Sequence, residues 1–431
     1  MEFPRDVSPP TPSARTKSIF DPIHGIISLG RAPLDLIADP AFQRLWGIRQ
    51  TGFAHLVFPG ANHTRLEHSL GVYWVARTMA EKLGLDRDRS ALVASGGLLH
   101  DLGHPPFSHT LEPSMRETLG YGHEAVSRRL ITGSDAPVVL PGVRIESQIP
   151  RILERHGISP PAVARLIDPQ RATGSRPLLR ALLHGAIDAD RIDYLQRDAH
   201  YTGVAHGTID SVRLLDTVRG RGGRLIFAEK GRSAVEGFLV GRALMYSSVY
   251  YHKTVRAAEV MAQAAVERLP GYPDEAANLF RFTDVELLVV LRGANGLSRV
   301  LTERLLTRRL YKRSYGWKEV TGSRRSRWLS LIRRPEERRR LEDAIGAQVR
   351  SPPGSVLLDL AGLEPREPHG GDWADVGVEE GRRVVYPFRP PSLWQSLIRR
   401  PPTFWTVSVY TDPRWREPVE KYLERDPSVL P

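Results

Sequence analysis

The chain has no cysteine, which excludes disulfides and thiolate ligands and leaves any metal to histidine and carboxylate. Lysine is scarce: seven of the 61 basic residues, so the net charge of +12 is almost all arginine. Arginine is the better two-pronged partner for phosphate, and a basic surface attracts anions such as nucleotides. Compositional bias of a genome is the other reading of the same excess. No stretch approaches the ~20 apolar residues of a membrane helix, and the first residues lack the apolar run of a secretory signal. The expectation is a cytoplasmic protein with no membrane partner. With 431 residues, 41% of them hydrophobic and 26% charged, the chain reads as globular, with one to three domains.

Histidine is what the sequence concentrates. Five of the 14 histidines fall between His63 and His109, well above even spreading. His100-Asp101 closes a small, uncharged apolar segment, and Gly103 and Pro105-Pro106 then stop the helix. A buried imidazole–carboxylate pair has to be paired or coordinated. Thr64 and Glu67 have the spacing of a capping box, so a helix should start near Thr64. Leu66, Leu70, Tyr73 and Trp74 mark its buried face and put His68 in its first turn. Arg65 lies close by, and an arginine beside a metal-binding histidine suits a phosphate that the metal also touches. A further helix over 185–198 carries Asp190, Tyr194 and Arg197 on one face, with Asp198 close to it. Asp190 supplies another carboxylate, so His68, His100, Asp101 and Asp190 form a candidate metal set.

Around these motifs the patterns predict a mainly α protein. Residues 1–16, rich in Pro and Ser, read as a disordered tail. A strand or hairpin is expected over 20–29, a helix over 40–50, and helices over 148–156 and 160–167. His123 should start another helix. Residues 211–227 read as a helix, a Gly-rich hairpin turn and a strand, and 233–269 as one long helix. The core is expected over 17–272, with a helical and small α+β region over 273–431. In that region 308–340 is arginine-rich, with Trp317 and Trp328 interleaved. A solvated helix face or subunit contact is favoured there, with a clamp for single-stranded nucleic acid as the lesser reading. Residues 355–360 and 405–410 have strand composition.

The ordered set H…HD…D resembles the ligand pattern of the HD-domain phosphohydrolases. Longer runs resemble one branch, the deoxynucleoside triphosphate triphosphohydrolases: Asp21-Pro22-Ile23-His24-Gly25, Phe42-Gln43-Arg44-Leu45, Arg65-Leu66-Glu67-His68-Ser69-Leu70-Gly71 and His100-Asp101-Leu102-Gly103-His104 among them. The resemblance covers roughly 20–260. It implies an HD-domain helical core with one divalent ion (Mn, Fe or Mg) on His68, His100, Asp101 and Asp190, and a second Mg bridging phosphates. It implies water attack at the α-phosphorus, with His109 as general acid, Glu112 orienting a histidine, and His104 and His123 on phosphate. Arg65, Arg191, Arg242, Tyr194 and Lys253 would spread the developing charge. Gln50 and Asp198 would read the sugar 3′-hydroxyl, and Tyr194 and Tyr250 would crowd the 2′ side and the base.

The resemblance also implies a homo-oligomer, dimer or tetramer. Three alternatives stay open: another nucleotide substrate (a mono- or diphosphate), a nucleotide- or nucleic-acid-binding regulator with little turnover, and a metal-dependent nuclease. In relatives with a guanine-specific activator site, an Asp and an Arg flank the Phe-Gln-Arg-Leu run. Here those positions hold Ala38 and Trp46, with Asp39 adjacent, so GTP is not expected to be an obligatory activator. With about 20 residues before the core, a sterile-alpha-motif extension is not expected either.

Overall fold

Two helices and a third crossing them set the frame. The computed structural model describes residues 16–134, 138–140, 143–145, 147–168, 177–274, 276–318, 320–363, 376–386 and 406–431, so the predicted tail lies outside the described residues apart from Thr16. Helix Arg65–Lys82 starts at Thr64 with both halves of the capping box made: Thr64 N donates to Glu67 Oε2 at 2.6 Å and Glu67 N to Thr64 Oγ1 at 3.5 Å. Helix Arg87–Leu99 starts at Asp86, whose side chain accepts from Arg89 N at 2.8 Å, and it ends at His100 as predicted. Gly97 lets these two helices close: a Cβ there would sit 3.0 Å from Val72 O. Helix Ala189–Thr202 packs on Arg65–Lys82 at Gly71. Leu66, Val72, Val75, Leu98, Ile192 and Leu195 are buried in the core these helices share.

A second core joins helix Lys253–Glu267 to helices Asp284–Gly293 and Gly296–Leu306, and takes in Phe53, Phe107, Leu111 and Met115. A third core is covered by an antiparallel sheet ordered Lys312–Trp317, Val407–Thr411, Val356–Asp359. The expected strands near 355–360 and 405–410 are therefore paired partners. The hairpin Lys17–Asp21 with Gly25–Leu29 forms as predicted, as does the Val218–Arg221 with Arg224–Phe227 hairpin. Its turn residues Gly222 and Gly223 take φ of +57° and +74°, which glycine adopts readily. The fold is mainly α with a small α+β portion, and among the described residues no helix is long and apolar enough to cross a membrane.

Two predicted elements differ. Residues 40–50 form only helix Pro40–Gln43 followed by a tighter turn, Arg44–Gly47. Arg44 is turned inward there, and its guanidinium donates to the carbonyls of Leu102, His104, Phe280, Arg281 and Phe282. That clamp fixes the local path more strongly than helix propensity does. The predicted single helix 233–269 is two, Arg232–Met245 and Lys253–Glu267, separated by a π turn at Tyr246–Tyr250. The wider turn brings the Tyr250 hydroxyl to Asp198 at 2.5 Å, and π turns tend to mark functional sites. In the arginine-rich region Trp328 is fully buried and Trp317 packs beside it, ring centres 5.7 Å apart. Arg338 pairs with Glu267, and Arg339 with Glu117 at 3.0 Å. Neither tryptophan is an open stacking platform, so the nucleic-acid reading loses its aromatic half.

Candidate metal centre

His68, from the first turn of its helix, meets His100-Asp101 at the end of the neighbouring helix and Asp190 from the crossing one. His68 Nε2 lies 3.0 Å from Asp190 Oδ1 and 3.6 Å from Asp101 Oδ2. His100 Nε2 lies 3.1 Å from Asp101 Oδ1 and 3.8 Å from Asp190 Oδ1. Both Nε2 atoms are buried without a hydrogen-bond partner, and with an Asp101 oxygen they lie within 4.8 Å of one another. Their Nδ1 atoms are engaged: His68 with Asp193 at 2.7 Å, His100 with the Gly97 carbonyl at 2.8 Å. Donation from Nδ1 leaves each Nε2 lone pair facing the two carboxylates, which is how imidazole presents itself to a metal. This donor set fits a divalent cation with nitrogen and oxygen ligands. Burial works against charge on His68, but Asp190 and Asp193 raise it to about 10, so the cluster favours a positive centre. A divalent ion would take that place by displacing the proton.

Asp193 is the residue that sequence reasoning missed. It lies three positions after Asp190, so one helical turn delivers a carboxylate to each ring nitrogen of His68. It also contacts His24 Nε2 at 2.6 Å and accepts both Nε and Nη2 of Arg197 at 2.9 Å. Arg197 continues to Asp21 at 2.8 Å, and His24 stacks on Trp74 at 4.5 Å. The Asp21-Pro22-Ile23-His24 run is thus the anchor of an outer ring around His68. Gly71 makes room for it, since a Cβ there would fall 1.8 Å from Asp193 Oδ1. The signal in the sequence is the i, i+4 spacing of Asp193 and Arg197, which form a fully buried pair.

Beside the ligands stands a second group. His104 Nε2 lies 3.2 Å from Asp101 Oδ1, and the His104 ring stacks on His123 at 3.8 Å. Glu112 bridges His109 Nδ1 and His123 Nδ1, both at 2.9 Å. Burial and the charges of Arg65 and His123 push His104 well below the ordinary histidine range, so it is neutral. Burial opposes charge on His123, but Glu112 raises it to about 9. Glu112 is held well below the usual carboxylate range against its burial, chiefly by His123 and His109. Phe107 and Ser108, just before His109, sit at φ +57° and +56°, a strained pair for non-glycine residues. Asp284 holds the first by accepting from Phe107 N at 2.6 Å.

The remaining predicted residues divide. Arg65 is buried, donating to Asp101 Oδ2 at 2.6 Å and Ser108 Oγ at 2.9 Å, so it orients a candidate ligand carboxylate. Asp198 holds His63 Nε2 at 2.7 Å and the Tyr250 hydroxyl, and Tyr194 meets the Tyr250 ring edge-on at 6.3 Å. Gln50 Oε1 is buried without a partner. Arg242 is buried, with its guanidinium 5.7 Å from the Tyr246 ring. Arg191 is committed to its helix-capping Asp188 and the Gly185 carbonyl. Lys253 is exposed at the start of its helix, and among the described residues no hydrogen bond or ion pair ties its side chain to the cluster.

The Glu112–His123 pair has a pH signature. His123 is faced by Glu112, Glu124, His104, His109 and Asp101, and Arg116 reaches Glu112 from the exposed side. A histidine whose folded value is raised stabilises fully below its unfolded value and loses that contribution as pH rises through the folded one. Replacing Glu112 by Gln should therefore lower stability by about 1.5–3 kcal/mol near pH 6, and the gap should close as pH rises through about 9. Melting curves of both proteins across that range check it; a gap that widens with pH contradicts it.

Residues 65–198 match the HD domain family, and 209–426 match the HD associated region. The uncharacterized protein MJ1154 of Methanocaldococcus jannaschii is 31% identical over 400 residues, covering 91% of this chain and 79% of that one. The chicken deoxynucleoside triphosphate triphosphohydrolase SAMHD1 is 30% identical over 280 residues, 58% of this chain; the match spans 45% of that protein's length. The crystal structure of a hypothetical protein from Aquifex aeolicus superposes with a TM-score of 0.72 at 29% identity, over 95% of this chain and all of that one.

Proposed function

The chain belongs to the HD-domain phosphohydrolase superfamily, and on that premise we propose that it cleaves deoxynucleoside triphosphates to deoxynucleoside and intact triphosphate. The observation carrying this is the shared carboxylate: Asp101 faces His68 through Oδ2, and through Oδ1 both His100 and His104, the near end of the Glu112-bridged histidines. A divalent ion held by His68, His100, Asp101 and Asp190 would acidify a water and shield phosphate oxygens. Arg65 holds Asp101 in register. Charged His123, with neutral His104 stacked on it, offers a donor to phosphate oxygens. The water oxygen bonds to the α-phosphorus as the bond from phosphorus to O5′ breaks. His109, oriented through Nδ1 by Glu112, gives its proton to O5′. In this reading Asp198, Gln50 and Tyr250 would meet the sugar. The same reading takes the protein as a cytoplasmic homo-oligomer, with exposed Phe20, Ile26 and Trp46 as apolar contact surface.

Activation by GTP is not part of the proposal. Ala38 is exposed and Trp46 is 56% exposed, and neither can grip a guanine edge as Asp and Arg do. The neighbouring Asp39 cannot substitute. It is buried, accepts from Ala41 N at 2.9 Å and from Gln148 N at 2.6 Å, and so has both oxygens engaged. Hydrolysis of one deoxynucleotide should run at the same rate with and without GTP. An enzyme silent alone and switched on by micromolar GTP would refute this.

The substrate is tested by a screen with Mn²⁺ over deoxynucleoside tri-, di- and monophosphates and a single-stranded oligonucleotide. Deoxynucleoside and triphosphate from the first class alone is the expected result. Orthophosphate with a diphosphate intermediate, or shortened oligonucleotides, would replace the proposal by another phosphohydrolase.

A further inference from the structure

We infer a second anion site, remote from the metal centre, that takes a polyphosphate chain. A cleft of about 1520 Å³ opens where helices Arg65–Lys82 and Arg87–Leu99 run away from the ligands. Six arginines from five helices line it: Arg31, Arg77, Arg87, Arg89, Arg165 and Arg180. Three carboxylates join them, Glu81, Asp86 and Asp88. Glu81 is taken by Arg77 at 2.8 Å and Asp86 by Arg89 at 3.3 Å. Six positive against three negative leaves an excess of three in one concavity. Arg31, Arg87 and Arg165 are exposed and have no carboxylate partner among the described residues.

Guanidinium groups left without a carboxylate partner in a cleft of net positive charge draw in a counter-anion. Their forks match phosphate oxygens two at a time. A single phosphate satisfies one or two such forks, whereas the three forks of Arg31, Arg87 and Arg165, on three helices, match several linked phosphates. The floor between them is apolar, with Tyr73 and Leu92 each 7% exposed and Ile158 8% exposed, so a base or sugar can rest there. The ligand is a polyphosphate, free or carried on a nucleoside. It does not sit on the metal ligands: none of His68, His100, Asp101 and Asp190 lines the cleft, which follows helix Arg87–Leu99 only as far as Ser95, and Arg87 and Arg89 lie about 15–20 Å along the helix from His100 at 1.5 Å per residue.

The test is titration calorimetry of the full chain with inorganic triphosphate and, separately, adenosine triphosphate. It needs no turnover, so its outcome is independent of the hydrolysis proposed above. Arg31→Glu with Arg165→Glu, and Arg87→Glu alone, should each weaken triphosphate binding tenfold or more and leave metal content unchanged. Asp101→Ala should retain this binding. Equal affinities for the two probes would identify the phosphate chain as the ligand; tighter adenosine triphosphate would identify a nucleotide lying on Tyr73. Binding lost in Asp101→Ala and untouched by the cleft variants would assign it all to the metal centre and overturn the inference. An equal loss in Arg333→Glu with Arg340→Glu, exposed arginines outside the cleft, would reduce the effect to net charge and overturn it as well.

Discussion

Asp101→Ala is expected to lose its bound metal and all measurable hydrolysis while keeping its fold. Asp101 faces both candidate ligand histidines and is reached by Arg65 and His104, so among the described residues it links the most parts of the site. Removing even an outer partner of a ligand lowers metal affinity ~10–100-fold, and loss of a ligand should exceed that. The variant leaves Arg65 with Ser108 alone, which costs some stability, but the hydrophobic core is untouched. Metal analysis after gel filtration and the rate with added Mn²⁺ measure both effects. Wild-type metal content and rate in a folded variant would remove Asp101 from the ligand set.

The second large effect is expected at Asp193, which touches neither substrate nor metal in this arrangement. Asp193→Ala should destabilise the protein by about 3–5 kcal/mol, because it strips a fully buried Arg197 of its main partner. That is a large share of the ~5–15 kcal/mol a domain has, so the alanine variant can fail to fold. Asp193→Asn keeps the shape and separates the two roles. An amide has one acceptor oxygen for His24, His68 and Arg197, so metal affinity should fall ~10–100-fold with a smaller loss of stability. Gly71→Ala approaches the same carboxylate from outside. Gly to Ala within a helix usually gains about 1 kcal/mol; here the methyl would meet Asp193 Oδ1 at 1.8 Å, so the sign should reverse. Calorimetric metal titration and melting temperatures check these. Wild-type metal affinity in a folded Asp193→Asn protein would make the outer ring purely structural.

Much of this site was legible because its signals are local. The capping box starting at Thr64, the apolar run ending at His100 and the turn glycines after it follow from residues within a few positions of one another. The helix face with Asp190 was legible for the same reason. The outer ring was not, because its partners are far apart in sequence: His24 and Asp193 are 169 positions apart, His63 and Asp198 135. No periodicity reports such a pairing. The break of the predicted 233–269 helix was hidden for a related reason. No glycine or proline marks the break at 246–252, and the π turn carries the distant contact of Tyr250 with Asp198. Arg44 reads as one polar residue in a helix, yet its guanidinium binds carbonyls from two distant segments. Of the residues named through the resemblance, Arg191 is held by Asp188 and Lys253 is exposed at the start of its helix.

Hydrolysis in ¹⁸O-labelled water tests the proposed chemistry most directly. Water attacking the α-phosphorus leaves its oxygen on phosphorus, so one ¹⁸O should appear in intact triphosphate and none in the deoxynucleoside. Label in the deoxynucleoside would mean attack at the 5′ carbon, and label in orthophosphate would mean attack at the terminal phosphorus. Either result would contradict the role given to His109 as the donor to O5′.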